Sequence, residues 1–351
     1  MGANQLGQFF QVTTWGESHG KEMGLVIDGC PPNISISEEQ INHSLTLRAP
    51  GQTPWTSPRK ETDCAEILSG VYEGKTTGHP IAIRIPNKDA RSSAYQGMEN
   101  VLRPGHANAT YLEKYGIYDY RGGGRASARE TACRVAAGAI AEQLLEGVEV
   151  HAYLKEIGSV SIQNVDYDHL KKSPIFCPDP SAEKEMIAMI ERTIVEKDSV
   201  GGIVEVVANN LPVGLGDPVY QKLEANLAHA MLSIPASKGF EIGSGFQAAR
   251  MKGSEHNDAF IGLNLTETNH AGGTLGGISN GMPVVCRVAF KPTSSIGKTQ
   301  KTVDLQGNPT TYQLPEGSRH DPCVTIRAVP VVRAMMLIVL ADRWVKRYKG
   351  F

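Results

Sequence analysis

Apolar and polar positions alternate at the start of the chain, where Phe9, Val12 and Trp15 read as a strand that runs into a turn at Gly16 to Gly20. The short apolar run MGLVIDG, Met23 to Gly29, reads as a second strand, stopped by Gly29 and the Pro31-Pro32 pair. Helical spacing first becomes clear at Ala132, Val135, Ala136, Ala139 and Ile140. Ser127 followed by Glu130 fits a capping box ahead of that run, and Gly147 is a fitting stop. Its alanines imply close packing against another helix. Further helices are expected over about Ser181 to Lys197 and Asp217 to Ser233, with the strand-like GIVEVVANN between them. MPVVCRVAF, Met282 to Phe290, alternates as a strand does. RAVPVVRAMMLIVLADRWVKRY reads as a closing helix with Pro330 near its start.

Between these elements, RAPGQTPWTSPRKETD (Arg48 to Asp63) is rich in proline, threonine and charge and reads as a long loop, a kind that often carries function. Strands and helices are mixed throughout and no linker marks a shift in composition, so one compact unit is expected. Two glycine-punctuated stretches share a pattern, HGKEMGLVIDGCP from His19 and HAGGTLGGISNGMP from His270. An internal duplication is one reading of them.

Composition changes this picture little. With 40% hydrophobic and 21% charged residues, the 351-residue chain has the make-up of an ordinary globular protein. Its formal charge of −2 argues against a nucleic-acid partner. The longest apolar run, Ala334 to Ala341, is far too short to span a membrane and lies between Arg333 and Arg343, so it reads as buried helix. No signal-peptide pattern opens the chain, and a cytoplasmic location is expected. The six cysteines are scattered without a C-x-x-C pair and the histidines lack ligand spacing, so no metal site is expected.

The chemistry concentrates around YDYRGGGRASARE, Tyr118 to Glu130, where three glycines lie between Arg121 and Arg125 with Arg129 beyond. A glycine-rich loop leading into a helix start is suited to an anion, because the backbone can come close and free N–H groups point outward. A tight turn with solvent-facing arginines is the alternative. Known phosphate motifs fail: SGVYEGKT has Ser69 where a P-loop needs glycine, IGKT at Ile296 lacks the upstream glycine, and GGGRAS crowds its glycines too far forward for a dinucleotide fold. His19, His106 and His320 each sit in a glycine- or proline-bounded turn, a setting that can present an imidazole to a cleft for proton transfer.

Taken together, GESHG (Gly16 to Gly20), the long block Arg103 to Ala141, SNGMPVVCRVAFKPTSSI (Ser279 to Ile296) and RHDPC (Arg319 to Cys323) resemble the chorismate synthase family from the N-terminus to the last helix. The resemblance implies an α+β fold, a single-domain β-α-α-β sandwich over residues 1–351 with an internal pseudo-twofold duplication, assembled as a homotetramer. It implies a lyase that eliminates phosphate and a ring hydrogen, anti-1,4, from 5-enolpyruvylshikimate 3-phosphate to give chorismate, using reduced FMN without net redox. It also implies an external source of reduced flavin, such as an NADPH-dependent flavin reductase. A flavin-dependent reductase of another anionic metabolite and a nucleotide-binding regulatory protein are the rival readings.

By motif position, the resemblance assigns substrate contacts to Ser18, His19, Arg48, Arg103, Ser127, Arg129 and Arg319. It assigns flavin contacts to His106, Arg125, Ala126, Ser127, Pro235, Ala236, Gly276, Lys291, Pro292, Thr293, Ser294, Ser295 and again Arg319. His19 would donate a proton to the departing phosphate, His106 would maintain the protonation of the reduced flavin, and Asp321 would act with flavin N5 in removing the ring hydrogen. Three positions depart from the family pattern. Pro54 stands where a second arginine is common, leaving Arg59 or Lys60 to take over its contact; Ala126 replaces a serine; and Pro235 replaces an asparagine and has no N–H to offer. Ser127 is asked both to cap a helix and to contact ligand.

Overall fold

Each half of the chain builds one antiparallel sheet and a pair of helices to cover it. The computed structural model describes residues 2–59, 61–89, 95, 97–314 and 320–348. The first half contains β1 (Gln5–Leu6), β2 (Gln11–Gly16), β3 (Glu22–Asp28), α1 (Glu38–Arg48), β4 (Glu66–Ile67), the hairpin β5 (Val71–Tyr72) and β6 (Lys75–Thr76), β7 (Ile81–Pro86), α2 (Asn108–Tyr115) and α3 (Thr131–Leu144). Its five-stranded sheet has the order β1-β2-β3-β7-β4.

The second half begins with β8 (Glu149–Ile157), β9 (Val160–Ser161), α4 (Tyr167–Leu170), α5 (Pro180–Val195), β10 (Gly202–Asn209), α6 (Leu223–Leu232), β11 (Ser237–Ile242) and α7 (Gly253–His256). Two small hairpins follow, β12 (Phe260–Gly262) with β13 (Leu265–Thr266) and β14 (Thr274–Leu275) with β15 (Ile278–Ser279). After β16 (Val284–Phe290) come the hairpin β17 (Gln300–Val303) and β18 (Pro309–Tyr312) and the closing helix α8 (Val324–Tyr348). The second sheet runs β11-β16-β10-β8-β9.

Alternation makes both sheets one-sided. Met23, Leu25 and Ile27 of β3 face inward with Ile81, Ile83 and Ile85 of β7, in a register that sets Leu25 opposite Ile83. In the second sheet Val204, Val206 and Ala208 of β10 share the inner face with Val284, Cys286 and Val288 of β16, with Val206 opposite Cys286. Between the sheets lies a helical double layer: α3 packs on β2 and β3, α8 on β8, β10 and β16, and α3 and α8 pack on each other. One hydrophobic core spans all four layers. This is the expected α+β sandwich.

The alanine run of α3 meets a helix as its composition implies. A Cβ at Gly138 would lie 2.5 Å from that of Ala334 in α8, so the two backbones touch where neither side chain keeps them apart. α8 begins earlier than the sequence indicates, which puts Pro330 inside the helix rather than in its first turn. The helix is long and apolar enough to cross a membrane, yet 83% of its apolar window is buried inside the protein. Among the described residues no group of three or more His, Cys, Asp or Glu is placed to hold a metal.

The duplication exists at the level of sheet and helices, not in the two glycine-punctuated stretches. The first stretch contains β3, the centre of its sheet, whereas the second forms the β14–β15 hairpin ahead of β16.

Candidate active site

A cavity of about 510 Å³ lies where loops of both halves converge, within the range of roughly 300–1,000 Å³ typical of small-molecule and cofactor sites. The turn between β2 and β3 supplies Ser18 and His19, the loop before α2 supplies Arg103 and His106, and the segments leading into α3 and out of α6 and β16 complete the wall with residues 320–321.

Two of the three glycines act by what they lack. Gly122 has φ of +71°, and a Cβ there would sit 2.7 Å from His19 Nε2 and 2.9 Å from Ser18 Oγ. A Cβ on Gly123 would lie 3.3 Å from His106 Nε2. Bare backbone therefore lets two imidazoles approach one loop. His19 also packs edge-on against Tyr95, ring centroids 5.3 Å apart. Arg103 locks the loop from outside by donating to Gly122 O (2.8 Å) and Ser295 Oγ (3.0 Å), and its Nε is buried without a partner among the described residues.

The arginines of the glycine loop divide in an order the sequence did not show. Arg121 points away from the cavity and is exposed, paired with Asp119 at 2.8 Å. Arg125 borders the cavity, but its guanidinium turns to β2, donating to Gly16 O (3.0 Å) and Thr14 Oγ1 (2.7 Å). Arg129 lines the wall with three anchors: Asn87 Oδ1 (2.8 Å), Pro86 O (3.1 Å) and the buried Asp63 carboxylate. Arg48 reaches the other oxygen of Asp63 and is 1% exposed, behind the wall rather than on it. Burial, with Arg327 and Arg129 nearby, pulls the Arg48 guanidinium down to about 10 despite Asp63, and the two guanidiniums hold the Asp63 carboxyl below its ordinary range.

The capping box is absent. Ser127 Oγ accepts from Arg129 N (3.3 Å) and caps a single 3₁₀ turn, and α3 begins at Thr131. Glu130 is buried and turns instead to Thr14 Oγ1 (2.9 Å) and Arg134 Nε (2.8 Å), because a buried carboxylate gains more from a cation than from one backbone N–H.

Asp321 faces the cavity with both oxygens engaged, one by Ser57 N–H (2.8 Å) and one by Arg327 Nη1 (2.7 Å). Lys291 Nζ donates to Gly105 O (2.8 Å), and Thr293 Oγ1 to Asp321 O (3.0 Å), so the Lys291 to Ser295 segment ties the histidine loop to the start of α8. Pro235 and Ala236 also line the wall, and Ala236 holds a left-handed φ of +70°. Burial pushes the His106 imidazole down to about 3, helped by the charges of Arg103 and Lys291; burial and Arg103 push His320 down to about 4. Both rings are neutral near pH 7 in the ligand-free chain. His106 Nδ1 and His320 Nε2 are buried without partners among the described residues.

Most expected site residues thus gather in one cavity: Ser18, His19, Arg103, His106, Ala126, Ser127, Arg129, Pro235, Ala236, Lys291 to Ser295 and Asp321. Gly276 does not join them; it sits on the β14–β15 turn, away from this chain's cavity. Arg319 and Lys60 lie outside the described residues. Pro54 is not on the wall, whereas Arg59 is, its guanidinium held by Glu61. Sequence reasoning missed Arg134, Arg327, Ser57 and Tyr95, none of which stands in a glycine-bounded motif, and left His320 without a role.

Comparison with known proteins gives a consistent result. The family model described as chorismate synthase matches residues 10–345. A chorismate synthase of Protochlamydia amoebophila is 58% identical, with 97% of each chain covered. Another from Rippkaea orientalis is 53% identical, with 98% of each covered. A crystal structure of a chorismate synthase superposes with a TM-score of 0.76 at 32% identity, covering 98% of this chain and 97% of the other.

Proposed function

The chain belongs to the chorismate synthase family, and from that premise we propose that it converts 5-enolpyruvylshikimate 3-phosphate to chorismate, eliminating phosphate and a ring hydrogen with reduced FMN and no net redox. The observation that carries the reading is the convergence of His19, His106 and Asp321 on one cavity whose wall is rich in arginine. A substrate with two carboxylates and a phosphate needs such a wall, since guanidinium matches these groups geometrically.

The residues present fit a flavin. His106 Nδ1 and Arg103 Nε are buried polar atoms without partners among the described residues, and an unpaired buried group favours a ligand that satisfies it. The backbone of Arg125, Ala126 and Ser127, with Pro235, Ala236 and the Lys291 to Ser295 segment, would hold it, joined by Arg319. When bound, reduced FMN supplies electron density to the substrate ring as the C–O bond weakens.

The chain's own groups do the rest. Arg129 has five N–H groups and, among the described residues, spends three on Asn87, Pro86 and Asp63, which leaves two to meet an anionic group in an orientation already set. His19 protonates the departing phosphate. Burial, with the charges of Arg103 and Lys291 beside it, holds the proton affinity of His106 down, so an anionic ligand that offsets those charges raises it and readies the ring to share a proton. Asp321, fixed by Ser57 and Arg327, is the chain's acceptor for the ring hydrogen.

The same reading makes residues 1–351 one catalytic domain in the cytoplasm, fed by an external flavin reductant, and assembled as a homotetramer. Self-assembly is supported by an exposed apolar group on the β12–β13 hairpin, Phe260, Ile261 and Leu263, the last 95% exposed. Anaerobic incubation with reduced FMN and substrate tests the activity: release of phosphate and chorismate with the flavin still reduced is expected. Stoichiometric flavin oxidation would instead establish a reductase, and the absence of both products a binding protein.

A further inference from the structure

Asn87, just past the end of β7, is not on the cavity wall, and no motif drew attention to it. Its side-chain amide nevertheless joins two parts of the site. The carbonyl Oδ1 accepts from Arg129 Nε at 2.8 Å, and Nδ2 donates to Glu17 O at 3.0 Å and Gly20 O at 2.9 Å. Those two carbonyls close the turn that presents Ser18 and His19, where Gly20 N also donates to Glu17 O at 3.0 Å. The backbone N–H of Asn87 adds a bond to Lys21 O at 3.1 Å.

Only a primary amide fits this position. The guanidinium needs an acceptor and the turn needs two donors, and asparagine offers both on one short, uncharged group. The amide's orientation follows from the partners, because the reversed one would set NH₂ against a guanidinium and a carbonyl oxygen against two carbonyls.

We propose that Asn87 is a positioning residue that couples the His19 turn to Arg129, so that the proton donor and the anion-binding fork keep one fixed separation. The inference rests on the roles given above to His19 and Arg129. A displacement of the order of 1 Å at such a site costs up to about a hundredfold in rate, which makes the coupling measurable.

Two substitutions separate the arms. Asn87→Asp keeps the acceptor for Arg129 but sets a carboxylate against Glu17 O and Gly20 O; kcat is expected to fall about tenfold or more while KM stays within about threefold of wild type. Asn87→Ala removes both arms, so KM is expected to rise as well as kcat to fall. Steady-state kinetics on the enzyme with reduced FMN, together with melting temperatures and competitive inhibition by inorganic phosphate, read these effects. Phosphate inhibition should weaken in Asn87→Ala and persist in Asn87→Asp. Wild-type kcat in Asn87→Asp, equal changes of KM and kcat in both variants, or loss of fold in both would each overturn the proposal. His19→Ala serves as the control on the underlying reading: if it turns over normally, that reading fails, whereas normal turnover by Asn87→Asp beside an inactive His19→Ala removes the coupling alone.

Discussion

Gly122 and Gly123 shape the site through absent side chains, and Arg103, Arg125 and Arg129 around them are set by partners distant in sequence. Roles follow from those partners. His19 and His106 both approach the glycine loop at the cavity, so under the proposed proton-transfer roles His19→Ala and His106→Ala should each fold and bind ligand yet lose about a hundredfold or more of kcat, the usual scale of general acid–base catalysis. Arg129→Ala should instead act chiefly on KM. Normal turnover in both histidine variants would remove the proton-transfer roles. Pro235 lies on the wall beside the strained Ala236 and lacks an N–H. Pro235→Asn is expected to alter FMN affinity a few-fold, about 0.5–1 kcal/mol, as one added hydrogen bond does; binding indistinguishable from wild type in a flavin titration would count against a contact there.

At the scale of elements, β2, β3, β10, β16 and the alanine-rich helix were legible in the sequence, whereas β7 was not, although Ile81, Ile83 and Ile85 alternate cleanly in it. Ser127 and Glu130 carry a capping pattern, but tertiary contacts with Thr14 and Arg134 claim the glutamate. A true capping box stands at Ser37 and Gln40, before α1, where it escaped notice because only Ile41, Leu45 and Arg48 of that helix are buried and no apolar stripe announces it. β8 was missed for the opposite reason: Ala152, Tyr153 and Leu154 are all buried in succession, so its alternation breaks. The α3–α8 contact gives a direct test. Gly138→Val would force two touching helices apart and should destabilise the fold by about 1–3 kcal/mol, read by urea unfolding; an unchanged midpoint would mean that the layer gives way at no cost.

Across the whole molecule, pH and self-association report on the buried site and the exposed hairpins. His106 and His320 titrate at about 3 and about 4 when folded, below the ordinary value near 6.5, so the unfolded chain binds protons first as pH falls. Stability is therefore fully present above about pH 6.5 and is lost on acidification toward the folded values, at up to about 1.4 kcal/mol per pH unit for each histidine. Urea unfolding at pH 7.5, 6 and 5 measures it, and a flat profile in His106→Ala/His320→Ala beside a falling one in wild type would assign the loss to these rings; equal profiles would refute it. If the chain assembles as proposed, Leu263→Glu with Phe260→Glu should shift the sedimentation coefficient downward, and an unchanged value would count against this hairpin as an interface.

By itself, the sequence determined the family, the mixed sheet and helix content, and most of the loops that line the cavity, because short-range patterning and contiguous motifs hold that information. Tertiary structure alone decided which arginine faces the cavity, that Arg48 and Arg129 share Asp63, and that Asn87 ties the His19 turn to Arg129. A buried charge is oriented by acceptors that distant segments bring to it, and no local spacing records which carboxylate or carbonyl will be there when the chain closes.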